Sequence, residues 1–186
     1  MNIKLQVMAK LGSNLNSKNR IGILGGSFDP AHKGHLAISK KAIKKFKLKK
    51  IIWAITAKNP LKKKSETSIP DRIKGCKKII KSNNLIKIKF YEKIIKSNKT
   101  INLINYIKKN TTSEIFFLMG ADSLINFHKW HKWNMIAEKC NLIVFDRHGY
   151  KKKSLNSISF KRLKGKNFKF IEFNKVKISS SQLRKI

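Results

Sequence analysis

Two histidines, His32 and His35, stand on either side of Gly34 and follow the glycine pair Gly25-Gly26. Imidazoles at this spacing, separated by a residue without a side chain, can turn two ring N–H groups towards one anion. The apolar run at 21–24 reads as a strand and the residues from His35 onward as a helix, so the stretch predicts strand, tight loop and helix start. Adjacent glycines would let the backbone leave the strand at angles that a Cβ forbids, and Gly25, Gly26, Ser27 and Phe28 would then offer bare amides to a phosphate. His35 falls in the first helical turn, beside orphan N–H groups and the positive end of the helix dipole. The chemistry this predicts is a grip on a polyphosphate.

Two commoner glycine motifs are excluded. No Gly-x-x-x-x-Gly-Lys-Ser/Thr occurs, which removes hydrolysis by a Walker A loop, and the spacing is not Gly-x-Gly-x-x-Gly. The following strand, 51–55, ends in Thr56 rather than in the acid that would hold a dinucleotide ribose. Near the other end of the chain, Ile178-Ser179-Ser180-Ser181-Gln182-Leu183-Arg184 repeats the phosphate logic: hydroxyls and amides at a helix start, with a guanidinium about one turn later. His128 and His131 have no neighbouring Cys, Asp or Glu to complete the three or four ligands of a zinc site, so no metal is assigned to them. Phe127, Trp130 and Trp133 fall at helical spacing, which reads as packing.

These groups need a frame. Ile38, Ala42 and Phe46 recur at helical spacing, 51–55 reads as a buried strand, and a lysine-rich loop with Pro60 leads to a helix started by Pro70 and carrying Ile73, Cys76 and Ile80. Arg72, early in that helix, reads equally as a solvated residue or, by the resemblance given below, as the arginine that family carries there. Strands are expected at 86–90, 115–119, 141–145 and 168–173, and a helix over 100–108 with Ile101, Ile104 and either Ile107 or Tyr106 inward. Residues 151–166 are polar and take no assignment, and Ser179 to Ser181 would cap a terminal helix.

Alternation of this kind predicts an α/β fold: a doubly wound, Rossmann-like parallel sheet in a single domain, 20–186, behind a flexible N-terminal extension, 1–19. In such sheets ligands bind at the carboxyl ends of the strands. The glycine loop, the segment from Thr56 to Lys62, the turn with Asp122, Arg147 and the terminal serines all follow strands.

Composition narrows less. The 186 residues carry 44 Lys and Arg against 9 Asp and Glu, a net charge of +35. The excess is overwhelmingly lysine, spread along the chain with abundant Ile and Asn, as an AT-rich genome would impose. Such a charge attracts any polyanion, nucleotide or nucleic acid, so it selects neither, and no specific nucleic-acid partner is expected from it. Cys76 and Cys140 lie far apart, no Cys-x-x-Cys occurs and no apolar run approaches a membrane span, which together predict a cytoplasmic protein with buried thiols and no membrane partner.

The stretch from Gly25 to Leu36 resembles the nucleotidyltransferase superfamily, whose loop reads Gly-Gly-Ser/Thr-Phe-Asp-Pro followed by His-x-Gly-His, and 178–184 resembles its second signature, Ile-Ser-Ser/Thr-x-x-Arg. Pro-x-His-x-Gly-His-Leu is similar to the nicotinate-nucleotide adenylyltransferases, whereas phosphopantetheine adenylyltransferases usually carry Thr where His32 stands. Met119-Gly120-Ala121-Asp122-Ser123-Leu124 and Arg147-His148-Gly149-Tyr150 resemble the same family. The resemblance implies transfer of the adenylyl group of ATP to nicotinate mononucleotide, with magnesium carried on the ATP phosphates. His32, His35 and Arg184 would stabilise the transferring phosphates, with the glycine loop and Ser179, Ser180 and Ser181 also on ATP. Thr100, Asp122, Trp130, Lys62 and Arg147 would meet the mononucleotide, Trp130 by stacking on the pyridine ring.

Overall fold

The computed structural model describes residues 19–57, 67–165 and 167–173. Six short runs rich in Ile, Phe, Leu and Val form parallel strands: β1 (Arg20–Gly26), β2 (Lys50–Ile55), β3 (Ile86–Lys89), β4 (Glu114–Gly120), β5 (Asn141–Phe145) and β6 (Phe168–Ile171). Their spatial order is β3-β2-β1-β4-β5-β6. The chain therefore builds outward from β1 in one direction, then returns to build from β4 in the other. The crevice where that direction reverses lies between the carboxyl ends of β1 and β4.

Continuous apolar strands follow from burial on both faces. Ile21, Ile23, Phe117 and Met119 face one core, shared with Ile101, Ile104 and Ile107 of α4 (Thr100–Lys109) and Ile136 of α6 (Trp133–Lys139). Leu24, Trp53, Phe116 and Leu118 face the other, shared with Ala42 and Phe46 of α1 (Lys33–Phe46) and Cys76 of α2 (Ile69–Ile80). Helix α2 opens as its sequence prescribes, with the Ser68 hydroxyl accepting from the Asp71 N–H and proline in the first turn. Burial pushes the Cys76 and Cys140 thiols up to about 12, so both behave as core residues.

Several boundaries differ from expectation. A short helix, α3 (Glu92–Ile95), and a further one, α5 (Ala121–Ile125), have no sustained period to announce them. Residues 151–166 contain two helices, α7 (Lys151–Leu155) and α8 (Ile158–Leu163). They were illegible because two of their inward positions are serines, Ser154 and Ser159, both fully buried. Phe127, Trp130 and Trp133 do not share one helix: a 3-10 turn at Phe127–Lys129 ends before α6 begins. The rings pack even so, with Phe127 buried and edge-on to Trp130 at 5.3 Å and to Trp133 at 5.8 Å. Just ahead of β1, the Asn19 carbonyl accepts from the Glu114 N–H at 2.7 Å. The rest of the extension lies outside the described residues.

Candidate active site

The glycine pair ends a strand rather than turning a loop. Gly25 and Gly26 remain in β1, in register with Ala54 and Ile55 of β2, and neither adopts a left-handed backbone. The residue that does is Phe28, at φ 51°. A phenylalanine there costs about 1 kcal/mol, offset by burying the ring. That ring stacks on Trp53 at 5.0 Å and tilts against His35 at 4.8 Å. Phe28 thus backs the histidine from inside, and a nucleotide could meet only its main chain.

His32 and His35 then cap α1 reciprocally. The Gly34 N–H donates to His32 Nδ1 at 3.1 Å, and the His32 N–H donates to His35 Nδ1 at 3.2 Å. A ring nitrogen that accepts from the backbone carries no proton, so each neutral ring holds its proton on Nε2. The two rings lie 3.9 Å apart between centroids, tilted by 37°. Burial, and then the Arg147 cation, lower the His32 pKa to about 4, which keeps this ring neutral near pH 7. The cap therefore fixes two donors of known tautomer at the start of a fourteen-residue helix.

Buried bonds hold this cap from behind. Ser39 is fully buried; its hydroxyl donates to the His35 carbonyl at 2.8 Å and accepts from Trp53 Nε1 at 2.9 Å. Asp29, also buried, accepts from the Thr67 hydroxyl at 2.6 Å. Arg72 is only 4% exposed, which overturns the reading of a solvated helix residue. Its Nη1 donates to the Ser27 carbonyl at 3.0 Å and to the Thr56 carbonyl at 2.9 Å. Apart from the one-turn bond from Ser39 to the His35 carbonyl, these links were not legible in the sequence, because they join segments distant along the chain.

Across the crevice, Gly120 ends β4 and Asp122 stands in the first turn of α5. A Cβ on Gly120 would fall 2.5 Å from Asp122 Oδ1, so only glycine lets that carboxylate fold back over the strand end. Asp122 stands two residues after the N-cap position, Gly120. It accepts from Arg147 Nη1 at 2.7 Å, and the Arg147 guanidinium also lies over the Tyr150 ring at 5.5 Å. Two residues expected to meet the mononucleotide are thus brought together. The Arg147 cation is also among the causes that lower the His32 pKa.

Trp130 is half-buried against Phe117 and Phe127, and Thr100 opens α4 on the strand-end rim of the sheet. The structure does not link either of them to the histidines through a described hydrogen bond or ring contact. Lys62, Ser179, Ser180, Ser181 and Arg184 lie outside the described residues. Among the described residues, no three His, Cys, Asp or Glu side chains group to hold a metal ion. No helix among them is long and apolar enough to cross a membrane.

Comparison with known proteins agrees with this geometry. The cytidylyltransferase-like family matches residues 23–186. A probable nicotinate-nucleotide adenylyltransferase of Pelagibacter ubique is 61% identical over 180 residues, covering 96% of this chain and 100% of that protein. One of Agrobacterium fabrum is 38% identical over 131 residues, covering 69% and 70%. Among solved structures, the Plasmodium falciparum nicotinic acid mononucleotide adenylyltransferase complexed with NaAD superposes with a TM-score of 0.72 at 22% identity, covering 90% of this chain and 83% of that one, a likeness of fold. With a reciprocally capped histidine pair at the sheet's switch point and a relative this similar along its whole length, the chain belongs to the nicotinate-nucleotide adenylyltransferase family.

Proposed function

We propose that the protein transfers the adenylyl group of ATP to nicotinate mononucleotide, forming nicotinate adenine dinucleotide and pyrophosphate. The observation that carries this reading is the α1 cap, in which each Nδ1 accepts from a backbone N–H and each Nε2 is left to donate. The attacking group, a 5′-phosphate oxygen, is already an anion and needs no general base. It displaces pyrophosphate at the ATP α-phosphorus, forming one P–O bond as the α–β anhydride bond breaks.

The protein's task is then alignment and charge stabilisation. Holding both reactants in line can remove about 7 to 11 kcal/mol of the barrier, and donors placed where charge develops add to this. His32 and His35 are those donors in this reading. His32 stays neutral near pH 7, and with Nδ1 taken by the backbone each ring bonds the phosphates through Nε2. The bare ends of β1 and the amides from Ser27 to Phe28 line the ATP side, and Ser179, Ser180, Ser181 and Arg184 close it. Thr100, Asp122, Trp130, Lys62 and Arg147 form the mononucleotide side, and magnesium enters as part of the nucleotide substrate. ATP and nicotinate mononucleotide are accordingly its ligands, and the cytoplasm, where both thiols stay reduced, its compartment. We take 20–186 as the nucleotidyltransferase domain.

The test is pyrophosphate release from ATP and magnesium with three acceptors offered separately: nicotinate mononucleotide, nicotinamide mononucleotide and phosphopantetheine. The first is expected to be preferred. Preference for either of the others would keep the phosphate site and remove the assignments of Thr100 and Trp130. Release with none, from folded protein, would overturn the reading and reopen a role for the basic surface in binding RNA.

A further inference from the structure

The phosphate loop and the end of β2 are separate segments, and what joins them is a side chain from neither. Arg72 Nη1 donates at once to the carbonyls of Ser27 and Thr56, and Nη2 reaches the Ala57 carbonyl at 3.5 Å. From the opposite side, Glu92 of α3 accepts from the Thr56 hydroxyl and from the Ala57 N–H at 3.2 Å. The Thr56–Ala57 peptide is therefore held between a cation on its carbonyl and an anion on its amide. A backbone bond, Thr56 N–H to the Gly26 carbonyl at 2.9 Å, completes the tie to the glycine pair.

Arginine suits this place for a geometric reason. Its planar fork presents several donors in fixed directions, and three backbone carbonyls from two segments converge on it; a lysine ammonium on a single flexible stem cannot span them. The arrangement is also expensive to keep for stability alone, since a guanidinium 4% exposed has been withdrawn from water. A few residues on from Ser27 come the two histidines, so the same contact that fixes the Ser27 carbonyl fixes the entry to the α1 cap.

We infer that Arg72 is a positioning residue for adenylyl transfer: with Glu92 opposing it, it sets the separation between the phosphate loop and the end of β2, and through the loop the placement of His32 and His35. This rests on the reaction proposed above. A displacement of about 1 Å at such a site can cost on the order of 100-fold in rate, which sets the scale of the effect.

The experiment compares the parent protein with R72K and E92Q, using turnover per folded molecule, well below each variant's melting temperature, and amide hydrogen exchange. For R72K, kcat is expected to fall roughly 10- to 100-fold. Exchange at Thr56 and Ala57 should quicken by about tenfold or more, with β5 and β6 unchanged. A residue that merely stabilises the fold would lower the melting temperature and leave kcat of the folded fraction and this local exchange alone; that result overturns the inference. If R72K does not fold, E92Q decides. It keeps the side-chain shape but weakens the acceptor on Ala57, so a smaller fall in kcat with faster exchange at Ala57 supports the clamp, and no change in either overturns it. A parent protein that releases no pyrophosphate with any acceptor would overturn the reaction instead, and the exchange measurement would still judge the clamp.

Discussion

The two sides of the crevice are organised on opposite principles. On the β1 side, the histidine pair spends its Nδ1 atoms on the backbone, and buried Ser39, Asp29 and Arg72 fasten the loop from behind. Its donors are set before any ligand arrives. On the β4–β5 side, Asp122 and Arg147 face each other, partly exposed at 18% and 31% of their side chains. An anionic or polyol ligand there would have to exchange partners with an ion pair already formed. The first side resembles a mould, while the second has its charges satisfied internally and must rearrange to bind.

Four outcomes would break or sharpen that contrast. The largest is expected from His35→Ala, which removes a positioned donor and should lower kcat by about 100-fold or more with the fold retained. A near-normal rate, read as pyrophosphate release from protein with parental circular dichroism, would end the role given to that ring. Next comes Ser39→Ala, which strips Trp53 Nε1 of its acceptor and should cost about 1 to 3 kcal/mol in a urea titration, with a rate loss well short of the His35 effect. If turnover instead fell as far as for His35→Ala, Ser39 would belong to the chemistry rather than to its support.

Asp122→Asn should change stability by no more than about 1 kcal/mol, because the pair is partly exposed. Its kinetic mark should be a raised KM for the mononucleotide, with that for magnesium–ATP held within about twofold. The reverse pattern would abolish the division between the two sides.

The last outcome concerns His32. Its folded pKa, about 4, lies below the ordinary 6.5, so the folded state resists protonation. The stability it contributes is therefore present above about pH 6.5 and lost as pH falls through about 4. Nuclear magnetic resonance titration of the ligand-free protein should show the Nε2 tautomer with a midpoint near 4. A midpoint above about 6 would mean that the Nδ1 bond is not made and that the ring is not preset.

What could be read in advance follows the same line. The helix start at His32, Gly34 and His35 was legible because it is local; that the two rings cap it reciprocally was not foreseen. The strands 51–55 and 141–145 were legible because burial on both faces demands an unbroken apolar run. Gly25 and Gly26 were misread as the turn, since a glycine pair signals permitted angles but not which residue uses them. Phe28 takes the left-handed position because Trp53 and His35 bury its ring, and both partners come from other elements. Residues 151–166 hid two helices because Ser154 and Ser159 pack inward where an apolar period was sought.

By itself the sequence determined the place of the histidine pair at a helix start, the alternation that makes a parallel sheet, and the family. These depend on spacings within one turn of helix or one strand, where neighbours along the chain are neighbours in space. Only the tertiary structure decided that Arg72 leaves solvent to hold two strand ends, that Glu92 opposes it, and that Asp122 and Arg147 meet. Those contacts join residues from different crossovers of the sheet, and the partners of Arg72 are backbone carbonyls, which every residue carries and no residue type can announce.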